Sequence, residues 1–303
     1  WLIILLLLIT LIILVGGLTR LTDSGLSITT WELFVGFLPP LTDEKWLTYF
    51  NLYKTIPEYS EQNSDMNLNE FKVIFWWEYF HRLLGRLIGF VFFVPFLFFL
   101  LTRRLNAELT GRLLGIFALG GLQGGMGWYM VASGLVDEPN VSQYRLTAHL
   151  GIAFLIFGAI TWTAMSVLYP SRTNLSVPVR SMYKTSVAVS ATLFLMVLSG
   201  GFVASLQAGL IYNTFPLMGN SFIPPNLFAL TPFWTNFFDN MTTVQFDHRI
   251  IAYILAIMIP IFWFKLRRRD VSNRTKTLSN LLLGLLALQI VLGITTLIYH
   301  VPT

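Results

Sequence analysis

The sequence predicts an all-α polytopic membrane protein built as a pseudo-twofold repeat of two four-helix bundles, with the eighth helix missing from this chain. Three observations carry this. The chain is 55% hydrophobic and only 12% charged, where soluble domains carry about 25% charged residues. Several apolar runs reach the roughly 20 residues needed to cross a bilayer. They are solid rather than alternating, which excludes a β-barrel. Finally, the order of motifs in the first half recurs in the second.

Seven spans are expected in chain order, at about 2–15, 76–101, 113–135, 146–169, 184–206, 245–265 and 279–299. Gly16-Gly17 marks the exit of the first, and Arg103-Arg104 and Pro170 close the second and fourth. Two long polar segments, 20–72 and 207–244, interrupt the spans, and segments of that length are often functional. Twelve of the twenty Lys and Arg residues, Arg172 and Arg180 among them, fall in or beside the short connections between spans two and three, four and five, and six and seven. Those connections are expected to face the cytoplasm or matrix, and the two long loops the outside.

The repeat is legible residue by residue. Gly16-Gly17-Leu18, Ser24-Gly25-Leu26 and Pro39-Pro40 echo Gly200-Gly201-Phe202, Ala208-Gly209-Leu210 and Pro224-Pro225. Glu78 to Arg82 echoes Gln245 to Arg249, and Pro95 echoes Pro260. Leu122-Gln123 with Gly127 echoes Leu288-Gln289 with Gly293. The unit is four spans, giving an N-terminal half at 1–170 with outer loop 20–72, and a C-terminal half at 171–303 with outer loop 207–244. The second half reaches three spans. A chain that opens on Trp1 inside an apolar run and stops at Thr303 reads as incomplete at both ends, with the fourth span, and the counterpart of His149, expected beyond Thr303.

Composition removes some chemistries. Cysteine is absent, so disulfide, thiolate and iron–sulfur chemistry are excluded. The net charge of +5 sits beside membrane spans and does not indicate nucleic acid. The four histidines are the obvious ligands for a transition metal or haem iron. His81, Gly85 and Gly89 are spaced i, i+4, i+8, as are His248, Ala252 and Ala256, while His149 has Ala153 at i+4. Each histidine therefore shares a helix face with small residues. Three histidines near the outer ends of spans point to haem ligation, since ionisable groups within spans are costly and usually functional. Zinc fits less well, because nothing supplies two further nearby ligands. Bis-histidine ligation takes one imidazole from each of two facing helices, so His81 with His149 makes one site and His248 with a histidine beyond Thr303 the second. His300 has no counterpart and reads as a solvent-facing outer residue.

Glu78 lies three residues before His81, and its repeat-mate is Gln245. One site thus has a titratable group that can take a proton from a reacting centre, and the other keeps the shape without the charge. This asymmetry separates a catalytic haem site from a redox or structural one. Arg82, Arg86, Arg145 and Arg249 lie beside the histidines or near their faces. They serve either as snorkelling helix-end residues or as clamps on haem propionates. Gly120, Gly121, Gly124, Gly125 and Gly127 thin the third span, as expected for close helix packing.

These residues resemble the haem A synthase family. The matching stretches include GGLTRLTDSGLS (16–27), PEY (57–59), FKVIFWWEYFHRLLGRLIG (71–89), QGGMGWYMVASGL (123–135), VSQYRLTAHL (141–150), AGLIYNTFPLMG (208–219), QFDHR (245–249) and LGITTLIYHVPT (292–303). The resemblance implies an eight-span bundle with one haem site in each half. It implies oxidation of the C8 methyl of haem O to a formyl by successive hydroxylations with oxygen from water. Carried over, His81 and His149 hold the substrate haem, Glu78 is the catalytic carboxylate, and His248 ligates a haem b cofactor. Implied partners are haem O, delivered by a haem O synthase, an electron acceptor, the lipid bilayer and, as an open option, a second copy of the chain. The implied location is a bacterial plasma membrane, or a mitochondrial inner membrane if the source is eukaryotic, with the haem sites toward the outer face. The family's fourth ligand, in a His-Gln pair, is not in this chain, and the cysteine pair of some bacterial members is also absent. The alternative reading is a di-haem b-type cytochrome that moves electrons from a quinol without modifying haem. A haem carrier is a third, disfavoured by two imidazoles per iron.

Overall fold

The computed structural model describes residues 1–31, 36–135, 141–170 and 177–300, with side chains in the last segment from residue 182 onward. Arg172 and the side chain of Arg180, both used in the orientation argument, lie outside what is described. Among the described residues the chain is helical, with short turns and no strand. Six helices are long and apolar enough to cross a membrane, so the protein is a multi-pass membrane protein. The expected third span is also a long helix, Ala107–Gly134, but it is not among those six. Its many glycines and Gln123 lower its hydropathy.

The chain divides into two compact units at Pro170. In the first, α1 (Leu2–Leu21), α4 (Leu68–Leu101), α5 (Ala107–Gly134) and α6 (Gln143–Leu168) pack in a ring, α1 on α4, α4 on α5, α5 on α6 and α6 on α1. Each helix sends two residues to the centre: Leu5 and Ile9, Phe92 and Phe96, Leu113 and Ile116, and Ile156 and Ile160. Residues such as Leu7, Leu14, Leu101 and Trp162 point outward and stay exposed, as lipid-facing positions do, since lipid is as good a solvent for leucine as another helix.

Two boundaries differ from the sequence expectation. Helix α1 does not end at Gly16-Gly17 but runs on to Leu21, and Gly16 packs against His81 of α4 rather than forming a turn. Helix α4 starts at Leu68, two turns before the apolar run, because Asn67 and Glu70 form a capping box. His81 therefore sits about four turns inside its helix rather than in the first turns.

The outer segment 20–72 also carries order that a loop reading missed. It contains α2 (Asp43–Tyr53), capped by Thr42, and α3 (Pro57–Gln62), opened by proline at its first position. Trp46, Phe50 and Tyr53 of α2 bury themselves against Phe71 and Phe75 of α4, with Leu26 and Ile28 in the same cluster. This aromatic layer fixes the course of residues 24–30 over the histidine-bearing turn of α4.

In the second unit α7 (Val177–Ser205), α9 (Met241–Arg267) and α10 (Asn273–Ile298) are the long helices, with α9 packed on both α7 and α10 and the short α8 (Asn236–Asp239) against its start. Its core is smaller, centred on Val189, Leu255 and Ile259. Pro95 and Pro260 lie inside α4 and α9. The eighth helix expected beyond Thr303 falls outside the chain.

Candidate functional site

The three span histidines share one surrounding: each imidazole meets a glycine on a neighbouring helix. A Cβ on Gly16 of α1 would stand 2.9 Å from His81 Cε1. On Gly127 of α5 it would stand 3.2 Å from His149 Cε1, and on Gly200 of α7 it would stand 3.5 Å from His248 Cε1. The sequence reading located small residues on the histidines' own helices. There the space is looser, since a Cβ on Gly85 would touch only Ile12 and one on Gly89 nothing within 4 Å. The tight fit is therefore made across helices. The close packing expected at Gly120, Gly121, Gly124 and Gly125 is not found either, since a Cβ at each would meet nothing within 4 Å.

The imidazoles differ in their polar partners. The Nδ1 atoms of His81 and His149 are buried with no hydrogen-bond partner among the described residues. His149 Nε2 lies 3.2 Å from the Gln123 side-chain amide nitrogen. In the second unit, His248 Nδ1 lies 2.8 Å from Ser199 Oγ. His300, exposed and in a left-handed turn, stands apart from these groups, as expected.

Glu78 is the most constrained carboxylate. It is 2% exposed, and each of its oxygens accepts two hydrogen bonds. Oε2 takes the Ser27 hydroxyl and the Ile28 backbone N–H, both at 2.7 Å. Oε1 takes Arg82 Nε at 2.9 Å and Nη2 at 2.6 Å. Arg82 also donates from Nη2 to the Ile28 carbonyl and from Nη1 to the Thr30 carbonyl. Most of its guanidinium is thus spent holding the outer segment to α4.

The second unit repeats this clamp without the charge. Arg249 donates from Nη2 to the Tyr212 carbonyl and from Nη1 to those of Thr214 and Leu217. Aligning Gly16 with Gly200 brings Ile28 and Thr30 onto Tyr212 and Thr214, so the two arginines hold the same two carbonyls of their respective loops. Gln245 is 3% exposed and donates its amide to the Tyr212 carbonyl. Its Oε1, and Arg249 Nε, are buried without partners among the described residues. These are the atoms whose equivalents, Glu78 Oε1 and Arg82 Nε, bond in the first unit.

Arg86 and Arg145 use their flat faces, Arg86 over the Phe37 ring at 5.5 Å and Arg145 over Tyr129 at 4.4 Å. Arg86 also lines a narrow cleft with Ile28, Thr30, Tyr79 and Arg82.

One group in this region was not singled out by sequence reasoning beyond its place in the Pro-Glu-Tyr motif. Glu58 is 4% exposed under the outer segment. Its Oε1 accepts from the Tyr53 hydroxyl at 2.9 Å, and that hydroxyl accepts from Asn63. Burial pushes its pKa up to about 7, against the lowering effect of the Tyr53 hydrogen bond and with a further push from the charge of Glu78. Burial also raises the Tyr53 phenol, with Glu58 adding to the effect. The available signal was a glutamate directly after a proline and before Tyr59.

Among the described residues no cluster of three or more His, Cys, Asp or Glu side chains is arranged to hold a bare metal ion. The imidazoles stand singly against glycine surfaces, an arrangement suited to a flat macrocycle.

Comparison with known proteins places the chain in a family. The cytochrome oxidase assembly protein family model matches residues 1–303. A protein named Heme A synthase from Nitrosospira multiformis is 56% identical over 303 residues, covering all of this chain and 85% of that protein. Those from Nitrosomonas eutropha and Parvibaculum lavamentivorans are 53% and 50% identical, again over all of this chain and 85% and 86% of theirs. No solved structure matches. With a family match along its whole length and relatives at half identity or more, this chain belongs to the cytochrome oxidase assembly protein family.

Proposed function

We propose that the chain is a haem A synthase, an oxidoreductase that converts the C8 methyl of haem O to a formyl by successive hydroxylations with oxygen from water. The observation that carries this is the difference between the clamps: a buried carboxylate three residues from His81 in one unit, and an amide in the same place beside His248 in the other. The relatives' names support haem A as the product.

In this reading the substrate haem O lies between His81 and His149, near the outer face. Two partnerless buried Nδ1 atoms and two glycine surfaces suit ligation by these imidazoles. Ligation through His149 Nε2 requires the Gln123 amide to give way. Each hydroxylation removes two electrons and one proton from the methyl carbon, and the attacking water loses a second proton as its oxygen bonds to that carbon; loss of water from the doubly hydroxylated carbon leaves the formyl. A carbon losing electrons on a conjugated ring becomes cation-like, and a fixed negative charge beside it lowers that barrier. Glu78 is such a charge, held by four donors so that it need not reorganise. Protonating it would displace Ser27, Ile28 or Arg82 from an oxygen, so the charge-stabilising role comes first and proton acceptance from the attacking water second.

Arg82 is committed to Glu78 and two backbone carbonyls and Arg249 to three backbone carbonyls, and propionate binding is assigned to Arg86 and Arg145. His248 against Gly200 fits a resident haem b, which supplies one-electron redox chemistry and an outlet toward an external acceptor. The two units then act as repeat-related halves, one for substrate and one for cofactor, in a bacterial or mitochondrial inner membrane with both sites toward the outer face.

Reverse-phase chromatography of pigment extracted from the purified protein tests the proposal. Haem b together with haem O, haem A or the intermediate alcohol supports it. Haem b alone, in cells that make haem O, supports the di-haem cytochrome instead.

A further inference from the structure

Ser199 has no part in the chemistry above, yet it touches His248, the span histidine of the second unit. Its hydroxyl lies 2.8 Å from His248 Nδ1 and 2.9 Å from the Met196 carbonyl. A serine hydroxyl has one hydrogen. The carbonyl cannot donate, so that hydrogen goes to Met196, and the bond to the imidazole is then made by Nδ1–H donating to Oγ. This assigns the tautomer: the proton sits on Nδ1, and Nε2 carries a free lone pair. Hydrogen bonds of this kind fix the orientation of a ligating imidazole and raise its basicity.

The first unit lacks the device. Aligning Gly16 with Gly200 puts Val15 opposite Ser199, and His81 Nδ1, which would face it, is buried without a partner. The second imidazole of that unit, His149, has its Nε2 beside the Gln123 amide instead. Histidines meant to bind a substrate and release a product gain nothing from being locked. A histidine meant to keep a cofactor does.

We propose that Ser199 is a positioning residue that presets His248 as a permanent haem ligand and makes the second unit the cofactor site. The inference rests on the haem reading above. Donation from Nδ1–H strengthens the imidazole as an electron donor to ferric iron, so its removal favours the ferrous state and loosens the ligand.

The test uses full-length protein purified from membranes, with Ser199→Ala and Ser199→Thr variants. Two readouts are taken: the midpoint potential of the haem b by redox titration, and the rate of haem loss to apomyoglobin. Ser199→Ala is expected to raise the potential and to speed haem loss by on the order of 10-fold, the scale of lost outer hydrogen bonds at metal ligands. Ser199→Thr, which keeps the hydroxyl, is expected to restore both. A Ser199→Ala protein whose potential and haem loss match the parent overturns the inference and leaves the haem reading standing. If Ser199→Ala destabilises the helix, Ser199→Thr decides: a threonine variant that behaves like alanine, in a folded protein, also overturns it. A parent protein whose haem b is unaffected by His248→Ala overturns the haem reading and this inference together.

Discussion

The turn Glu78 to Arg82 and the turn Gln245 to Arg249 build the same arginine clamp, but inside it a carboxylate in the first is matched by an amide in the second, while outside it Phe80 is matched by Asp247. In both, an arginine four residues after the acid or amide holds two carbonyls of the outer segment, Ile28 and Thr30 in one unit, Tyr212 and Thr214 in the other. In the first unit a carboxylate closes the circuit, taking Ser27, Ile28 and Arg82. In the second, Ser27 is replaced by Ile211, and Gln245 Oε1 and Arg249 Nε face no partner. The clamp therefore does not need the charge to hold the loop. A feature that architecture can do without, kept at only one of two matched places, is where chemistry is to be sought.

The largest expected effects come from the ligands. His81→Ala or His149→Ala is expected to abolish haem A formation and leave haem b in place, whereas His248→Ala is expected to remove haem b; haem content per chain, read by pyridine haemochrome spectra, separates the cases. Loss of haem b in all three would merge the two sites into one.

Next are the glycines, whose effects should follow their clearances. Gly16→Ala forces a Cβ to 2.9 Å from His81, and overpacking of that kind costs about 1–3 kcal/mol. Substrate affinity should fall on the order of 10-fold or more. Gly127→Ala, at 3.2 Å, should be milder, and Gly200→Ala, at 3.5 Å, nearly neutral. Titrating haem O into detergent-solubilised variants gives the order, and a reversed order would mean the imidazoles do not sit where they are placed.

A smaller effect is expected from Gln245→Glu. It gives Arg249 a charged neighbour but removes the amide bond to the Tyr212 carbonyl, and should change thermal stability little without creating a second oxidising site. Haem A output above the parent's would contradict the assignment of the chemistry to the first unit alone.

The smallest effect belongs to Glu58. Its pKa is raised from 4.5 to about 7 by burial, so the folded form binds the proton more tightly than the unfolded one. The stability this contributes is fully present below pH about 4.5 and is lost as pH rises toward about 7. Hydrogen-exchange protection factors of residues 53–63, which divide out the intrinsic pH dependence of exchange, should fall across that window in the parent and stay flat in Glu58→Gln.

Much of this was legible in the sequence for a physical reason. Long apolar runs report bilayer crossing whatever their neighbours, and a repeat places His81 opposite His248 and Glu78 opposite Gln245 by counting. What the sequence did not reveal depends on partners distant in the chain. The glycines that touch the imidazoles are on other helices, so spacing along α4 pointed to Gly85 and Gly89 instead. Arg82 reads equally well as a propionate clamp or a helix-end residue until the path of residues 27–30 is known. Two missed features did carry signals. Asn67 and Glu70 have capping-box spacing and set the start of α4, and the repeat register that aligns Gly16 with Gly200 also aligns Val15 with Ser199.

The most direct test of the central claim is Glu78→Gln, which gives the first unit the second unit's residue. Glutamine at Gln245 shows that the clamp holds with an amide, so the variant is expected to keep both haems while haem O or its alcohol accumulates and haem A formation falls by about 100-fold or more. Extracted pigment with haem A at the parent's level would contradict the account.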